Sequence, residues 1–315
     1  MTRLMLIVLA SLLTAAQFRA QQPATAPVPT AANADPSVLP KAELLRRIDL
    51  YEAALHRPGI NRIDDASVAR VYASLGNCYL DLAMYLKAED AMHHAIELMR
   101  NGPQAVLADE IGQLAGLHFE MGDLKLAEKG EMEALEIRQQ LGDPVGIALT
   151  WNDLANLYIG QHQFSRALDY AQRAMPVLAS NPSVQASDRI AVRQTLASAL
   201  CGMHQCDRAI PLLQQALALA SDSFGANSLA AGVSSYMLGH GYWQNGQLDQ
   251  AANYMQRGTE RMKQDWDWGY TLYVNAIAQY AKFLRQRGQS ESAALEEREL
   301  KHMTDTVDAR SFVGR

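Results

Sequence analysis

Trp151-Asn152-Asp153-Leu154-Ala155-Asn156-Leu157-Tyr158, followed after a break by Phe164, Ala167, Leu168, Ala171 and Ala174, decides the fold of this chain. Trp151, Leu154, Ala155 and Tyr158 fall at i, i+3, i+4 and i+7, which is one face of a helix. The polar run Gly160-Gln161-His162-Gln163 interrupts that stripe, and Phe164 to Ala174 resume it on a second helix. The small residues have a mechanical purpose. Ala155 and Ala167 mark where two helices approach closely, and a leucine there would overpack the contact at a cost of about 1–3 kcal/mol.

Outward from this pair the pattern recurs. Ala88, Ala127, Ala167, Ala209, Ala251 and Ala293 are spaced by 39, 40, 42, 42 and 42 residues. Twelve residues before each stands Gly76, Ala115, Ala155, Ala197, Gly239 or Ala281, and one further back Leu75, Leu114, Leu154, Leu196, Leu238 or Tyr280. A fixed period in this range marks a repeat array, which grows by stacking and needs no single central core. Gly122, Gly246 and Gly288 recur where the first helix of a pair must end. Sustained period-two alternation of β-branched residues is missing, so the expected class is all-α.

The third unit, with Trp151, Leu154, Ala155, Tyr158, Phe164, Ala167 and Ala174, resembles the tetratricopeptide repeat. The fifth unit resembles it through Leu238-Gly239, Tyr242, Gly246, Leu248 and Ala251. The usual unit has 34 residues. The longer units here resemble those of kinesin light chains, with Gln140-Leu141-Gly142-Asp143-Pro144 and Ser223-Phe224-Gly225-Ala226-Asn227 expected as long connections after the second helix. The resemblance covers residues 69–300. It implies a right-handed α-solenoid of about six helix-turn-helix units, near 69–102, 108–141, 148–181, 190–223, 232–265 and 274–307. Three positions depart from the pattern: His118 and Leu200 stand where tyrosine is usual, and Leu300 where alanine is usual.

Four segments are expected along the chain. Residues 1–20 read as an export signal, with Arg3 opening it, a mostly apolar run over 4–16, and small residues at Ala15, Ala16 and Ala20. That run is shorter than the roughly 20 residues of a membrane span. Cleavage after Ala16, with Thr14 at −3, fits the small-x-small rule better than cleavage after Ala20, with Phe18 at −3, and both sites stay open. Residues 21–40, with Pro23, Pro27, Pro29, Pro36 and Pro40, form an extended spacer. Residues 41–68 supply an entry helix with Leu44, Leu45, Ile48, Tyr51 and Leu55 on one side, and residues 69–315 the repeat domain. Cys78, Cys201 and Cys206 are an odd set for an exported chain. Cys201 and Cys206 would flank a helix turn, where a bridge is geometrically demanding, and small buried hydrophobes is the favoured role for all three.

In this family the first helix of each pair lines a concave face, at positions 15, 11 and 8 residues before the reference alanine. That register selects Asn77, Asn152 and Asn156, with Asp153 beside them, as partners for the backbone of an extended peptide, since an amide offers donor and acceptor together. It also brings Tyr236, His240 and Trp243 beside Lys282 and Arg285, where aromatics and cations could anchor a side chain or carboxylate. Ala73, Leu149 and Asp153 replace the cations with which some tetratricopeptide domains clamp a terminal carboxylate, so that mode is not expected.

Several classes are disfavoured. A net charge of −6 without clustered basic residues argues against nucleic acid. With 49% hydrophobic and 20% charged residues the chain has the composition of a folded protein. Neither a phosphate loop nor a serine elbow is present, and no cofactor is implied. His93-His94 are adjacent and point to different sides of a helix, so no metal centre is expected from them. The expected function is an exported, non-catalytic scaffold binding a protein or peptide, without a membrane span once the signal is removed. The alternative is a self-associating structural component of the cell envelope.

Overall fold

The computed structural model describes residues 41–60, 63–264 and 270–312. The expected signal and spacer over 1–40, and Trp266 and Trp268, lie outside the described residues. Thirteen helices follow in order: α1 (Lys41–Leu55), α2 (Asp65–Asp81), α3 (Tyr85–Met99), α4 (Gln104–Glu120), α5 (Leu124–Leu141), α6 (Pro144–Gly160), α7 (Phe164–Leu178), α8 (Ala186–Gly202), α9 (Cys206–Phe224), α10 (Leu229–Gln244), α11 (Leu248–Gln264), α12 (Tyr270–Gln286) and α13 (Ser290–Phe312). The described residues contain no strand, and none of their helices is long and apolar enough to cross a membrane. The class is an all-α solenoid of helical repeats, as the alanine spacing predicts.

The described helices fall into two compact units that part at Asp188 and Arg189. In the N-terminal unit each helix from α1 to α7 packs on the next in sequence. In the C-terminal unit α9 to α13 do the same, and Ile190 of α8 joins Ala216, Ala220 and Ala231 in one apolar cluster. The six reference alanines are all wholly buried on the second helix of a pair. Their partners on the first helix are as tight. A Cβ on Gly239 of α10 would lie 2.5 Å from the backbone nitrogen of Met255 on α11, so only glycine permits that approach.

Every pair turns in the same way. The amides of Met84, Asp123, Gln163, Gln205, Gln247 and Gln289 donate to the carbonyls five residues back, at Tyr79, His118, Tyr158, Leu200, Tyr242 and Leu284, over 2.8–2.9 Å. This bond closes a helix through a residue in the left-handed region. That residue is Ala83, Gly122, His162, His204, Gly246 and Gly288 in turn, with φ between 55° and 84°. Three repeats therefore hold the turn with a side chain that disfavours it.

The inter-repeat connections differ from expectation. Only Gly142 and Asp143 separate α5 from α6, and only residues 225–228 separate α9 from α10. The extra length lies instead in the second helices, 18 residues in α5 and 19 in α9 against 15 in α3 and α7. The reason is local. Gly142 ends α5 at φ 65°, and Asp143 caps α6 by accepting from the amides of Val145 and Gly146, with Pro144 in the first turn. Stop and start signals are thus adjacent and leave no room for a loop. Cys201 and Cys206 are joined as a disulfide across the α8–α9 turn, which corrects their reading as unpaired buried hydrophobes, whereas Cys78 is buried and free of a disulfide.

Replacing Ala83 by glycine relieves a left-handed alanine, so Ala83→Gly should stabilise the chain by on the order of 0.5–1 kcal/mol. Urea unfolding of the variant beside the wild type checks this; an equal or lower midpoint would contradict it.

Candidate functional site

In the N-terminal unit, one layer of polar side chains runs through helices that are otherwise apolar inside. It begins with Arg138 on α5, only 6% exposed. Its Nη2 donates to Asp109 Oδ1 of α4 at 2.7 Å, and its Nη1 donates to the carbonyl of Gly146 at 3.3 Å and to Thr150 Oγ1 of α6. Gly146 makes room for this arrangement: a Cβ there would lie 2.2 Å from the Asp143 carboxylate and 2.9 Å from Arg138 Cδ. Five carboxyl groups, Asp109 among them, share the region with that one guanidinium. Burial and the Asp109 charge push Glu110 up to about 7. Burial and the Asp153 charge push Glu131 well above the carboxylate range, against the pull of Arg138. Burial pushes Asp153 up to about 7 and Asp188 up to about 6.

The layer also holds buried oxygens without partners. Glu110 Oε2, Gln113 Oε1, Glu131 Oε2 and Asn152 Oδ1 are buried acceptors with no hydrogen-bond partner among the described residues. A buried acceptor left unpaired costs on the order of 1–3 kcal/mol. All four are oxygens; Glu110 and Glu131 offer an O–H donor while they keep their protons, and the layer is short of donors once they ionise.

The expected site residues separate into two groups. Asn152 and Asn156 on α6 are 2% and 3% exposed, and Asp153 and Asn77 are half-buried. Asn152 and Asp153 belong to the polar layer. In the C-terminal unit, Tyr236 has no exposed surface and packs where a Cβ on Gly258 of α11 would come within 2.6 Å of it. It is a packing residue of the α10–α11 pair, which corrects its expected role as a surface anchor. His240 is held neutral, pushed down to about 4 by burial and by the Lys282 charge. Its ring meets Trp243 edge-on at 5.4 Å, and Trp243 in turn meets Phe283 at 5.5 Å and donates from Nε1 to Gln286 at 3.0 Å. Lys282 is exposed. Arg285 is engaged by Glu297 through two bonds of 2.5 and 2.6 Å, so its guanidinium is already matched to a carboxylate. This aromatic row is mainly a packing spine.

Sequence reasoning missed Glu131 and Arg138, yet their signal was present. They stand 4 and 11 residues after Ala127. The first, third, fourth and fifth repeats carry Met92, Ala171, Leu213 and Met255 at the first position, and Met99, Leu178, Ala220 and Met262 at the second, all buried. A charge on that apolar stripe is an exception that needs a reason. A second feature was also missed, a cleft of about 520 Å³ lined by Lys129 and Glu133 of α5, Trp151 of α6, and Tyr170 and Arg173 of α7.

Stacked two-helix repeats with a polar inlay define a helical-repeat protein. The tetratricopeptide repeat family model matches residues 107–180 and 188–264, and the chain is a tetratricopeptide-repeat protein. No curated protein matches this sequence significantly. Among solved structures it is similar to BtubC (BKLC) from P. vanneervenii, at 18% identity over 73% of this chain and 91% of that one, with a TM-score of 0.54. It is similar to a Rap protein complexed with Competence and Sporulation Factor at 15% identity, over 84% of this chain and 77% of that one, TM-score 0.54. It is also similar to a chain of the APC/C hetero-tetramer Cut9-Hcn1 at 15% identity, over 84% and 44% of the two chains, TM-score 0.62. At these identities the likeness is one of fold.

The raised carboxyl groups fix a pH dependence. Glu110 holds its proton to about 7 when folded and to near 4.5 when unfolded, so the folded chain binds more protons between those values. Its contribution to stability is greatest below pH 4.5 and is lost as pH rises to about 7. His240 acts in the opposite sense, its contribution being lost as pH falls from 6.5 to about 4. Glu110→Gln should therefore stabilise the chain at pH 8 by on the order of 1–3 kcal/mol and add little at pH 4. Thermal unfolding at both pH values measures this; an equal gain at both would contradict the assignment.

Proposed function

We propose that this protein is an exported, non-catalytic interaction scaffold. It binds an extended, basic segment of a protein partner along the first helices of its N-terminal unit. The observation that carries the reading is the set of buried, unpaired oxygen acceptors on α4, α5 and α6, in a layer with several carboxyl groups and one arginine. Such a layer is completed by donors. A lysine or arginine side chain supplies positive charge with them, and the amides of an extended backbone supply more. A bound cation would also return the raised carboxyl groups to their charged state, so binding and deprotonation would be linked.

The tetratricopeptide fold is a general platform for protein interaction, and a structurally similar Rap protein is complexed with Competence and Sporulation Factor. Export draws support from residues 1–20 and from the Cys201–Cys206 bridge, which suits an oxidising compartment. N-terminal sequencing of the protein recovered outside the cytoplasm should find a mature chain beginning at Gln17 or Gln21; recovery of the intact Met1 terminus would contradict this.

The binding reading is tested by fluorescence anisotropy with labelled, extended arginine-containing peptides and their glutamate-substituted counterparts. Glu131→Gln and Asn152→Ala should weaken the arginine peptides about tenfold or more, as the loss of a charge-assisted bond implies. Binding should tighten from pH 5 to pH 8. Equal binding by wild type and both variants, or loss only on Trp151→Ala, would move the site to the outer cleft and overturn the assignment.

A further inference from the structure

The second repeat departs from its neighbours at one further place. Nine residues before the reference alanine, Tyr79, Tyr158 and Tyr242 each stand on a first helix and reach back to the preceding pair of helices or, for Tyr79, to α1. Tyr79 donates to Glu52, Tyr158 donates to Glu128 at 2.7 Å, and Tyr242 accepts from Gln214 at 3.0 Å. In the second repeat this position is His118, buried on α4. Its Nε2 lies 3.1 Å from Glu89 Oε1 on α3, the carboxylate in the same register as Glu128. One turn further along α3 stands His93, whose ring centre is 6.4 Å from that of His118. The corresponding position in the third, fourth and fifth repeats is Gln172, Gln214 and Gln256.

We propose that Glu89, His93 and His118 form a binding site for a divalent cation of the zinc class. The three side chains offer one carboxylate oxygen and two imidazole nitrogens, all within 4.8 Å of one another. Zinc accepts this donor set at about 2.0–2.2 Å, which places ligand atoms about 3.4 Å apart in a tetrahedron. The Glu89–His118 separation already matches that spacing, and exposed His93 is free to swing in. Nitrogen donors select against magnesium and calcium, which take oxygen ligands.

Two features argue that this is more than a substituted tyrosine contact. A histidine replacing tyrosine as a hydrogen-bond partner needs Glu89 alone, whereas here a second histidine sits at i, i+4 from Glu89 on the same face. The adjacent His94 stacks on Tyr72 at 4.9 Å and bonds the Asp90 carbonyl at 2.9 Å, so the adjacent pair does diverge. His93 finds its counterpart across the α3–α4 contact. Three protein ligands leave the fourth position of zinc open to water or to a partner's side chain.

The experiment uses the full, tag-free mature chain stripped with a chelator. Zn²⁺ is titrated by calorimetry, and Co²⁺ is followed by its visible absorption. One equivalent should bind, raise the unfolding temperature, and give the Co²⁺ spectrum of a low-symmetry site with nitrogen ligands. His118→Tyr restores the residue that folds in the first, third and fifth repeats, and His93→Ala alters an exposed position, so both variants should fold. Each should lose at least tenfold in affinity. Absence of uptake by the wild type, or uptake that either folded variant retains undiminished, would overturn the proposal.

Discussion

Each repeat depends on one contact, the approach of two helices at a small residue. Ala88, Ala127, Ala167, Ala209, Ala251 and Ala293 have no exposed surface, and opposite them stand alanines and glycines with equally little room. Where the approach is tightest, at Gly239 against Met255, even one methyl group does not fit. This contact sets which face of each first helix is packed and which is left for other work. The left-handed turn five residues before each alanine fixes the angle at which the second helix leaves. Its backbone bond is the same in all six repeats. The turn is strong enough to be kept where the residue is Ala83, His162 or His204 and not glycine.

Against this regular frame the second repeat stands apart. Glu110, Glu131 and Arg138 occupy buried positions that neighbouring repeats fill mostly with methionine, valine, leucine or alanine. His118 occupies the tyrosine position. A buried ion pair is generally no more stabilising than apolar residues of the same size. Buried carboxyl groups whose pKa values burial raises lower stability when they ionise. Their presence in one of the first five repeats is what a binding role would leave behind, since a site is built at the expense of the surrounding fold.

The repeats, their register and their turns were legible in the sequence because a six-fold pattern averages out local exceptions. Gly122, Gly246 and Gly288 announced the turn, and the three repeats lacking glycine adopt it because the flanking helices demand it. The site was less legible. Asn152 and Asp153 stand out by their register, and they lie in the polar layer. Tyr236 was misjudged because position on a first helix does not reveal how far the neighbouring helix covers it. Gly258 lets α11 close onto the backbone and Cβ of Tyr236, and a glycine on the second helix is a weak signal. The long connections expected near Gly142 and Gly225 proved short, two residues at Gly142 and Asp143 and four over 225–228, because helix runs up to each glycine. Glu131 and Arg138 would have emerged from comparing each repeat with the others, position by position, instead of reading the first helices alone.

The central claim is that the polar layer of the second repeat serves binding and is not required by the fold. Replacing it by the residues of the first repeat at the same positions, as Glu110→Val, Glu131→Met and Arg138→Met together, tests that directly. The measurement is the free energy of unfolding in urea at pH 7. The account predicts a variant at least as stable as the wild type, by about 1–4 kcal/mol as for other buried charges replaced by apolar residues. A loss of several kcal/mol would mean that the layer holds the repeats together, and would contradict the account.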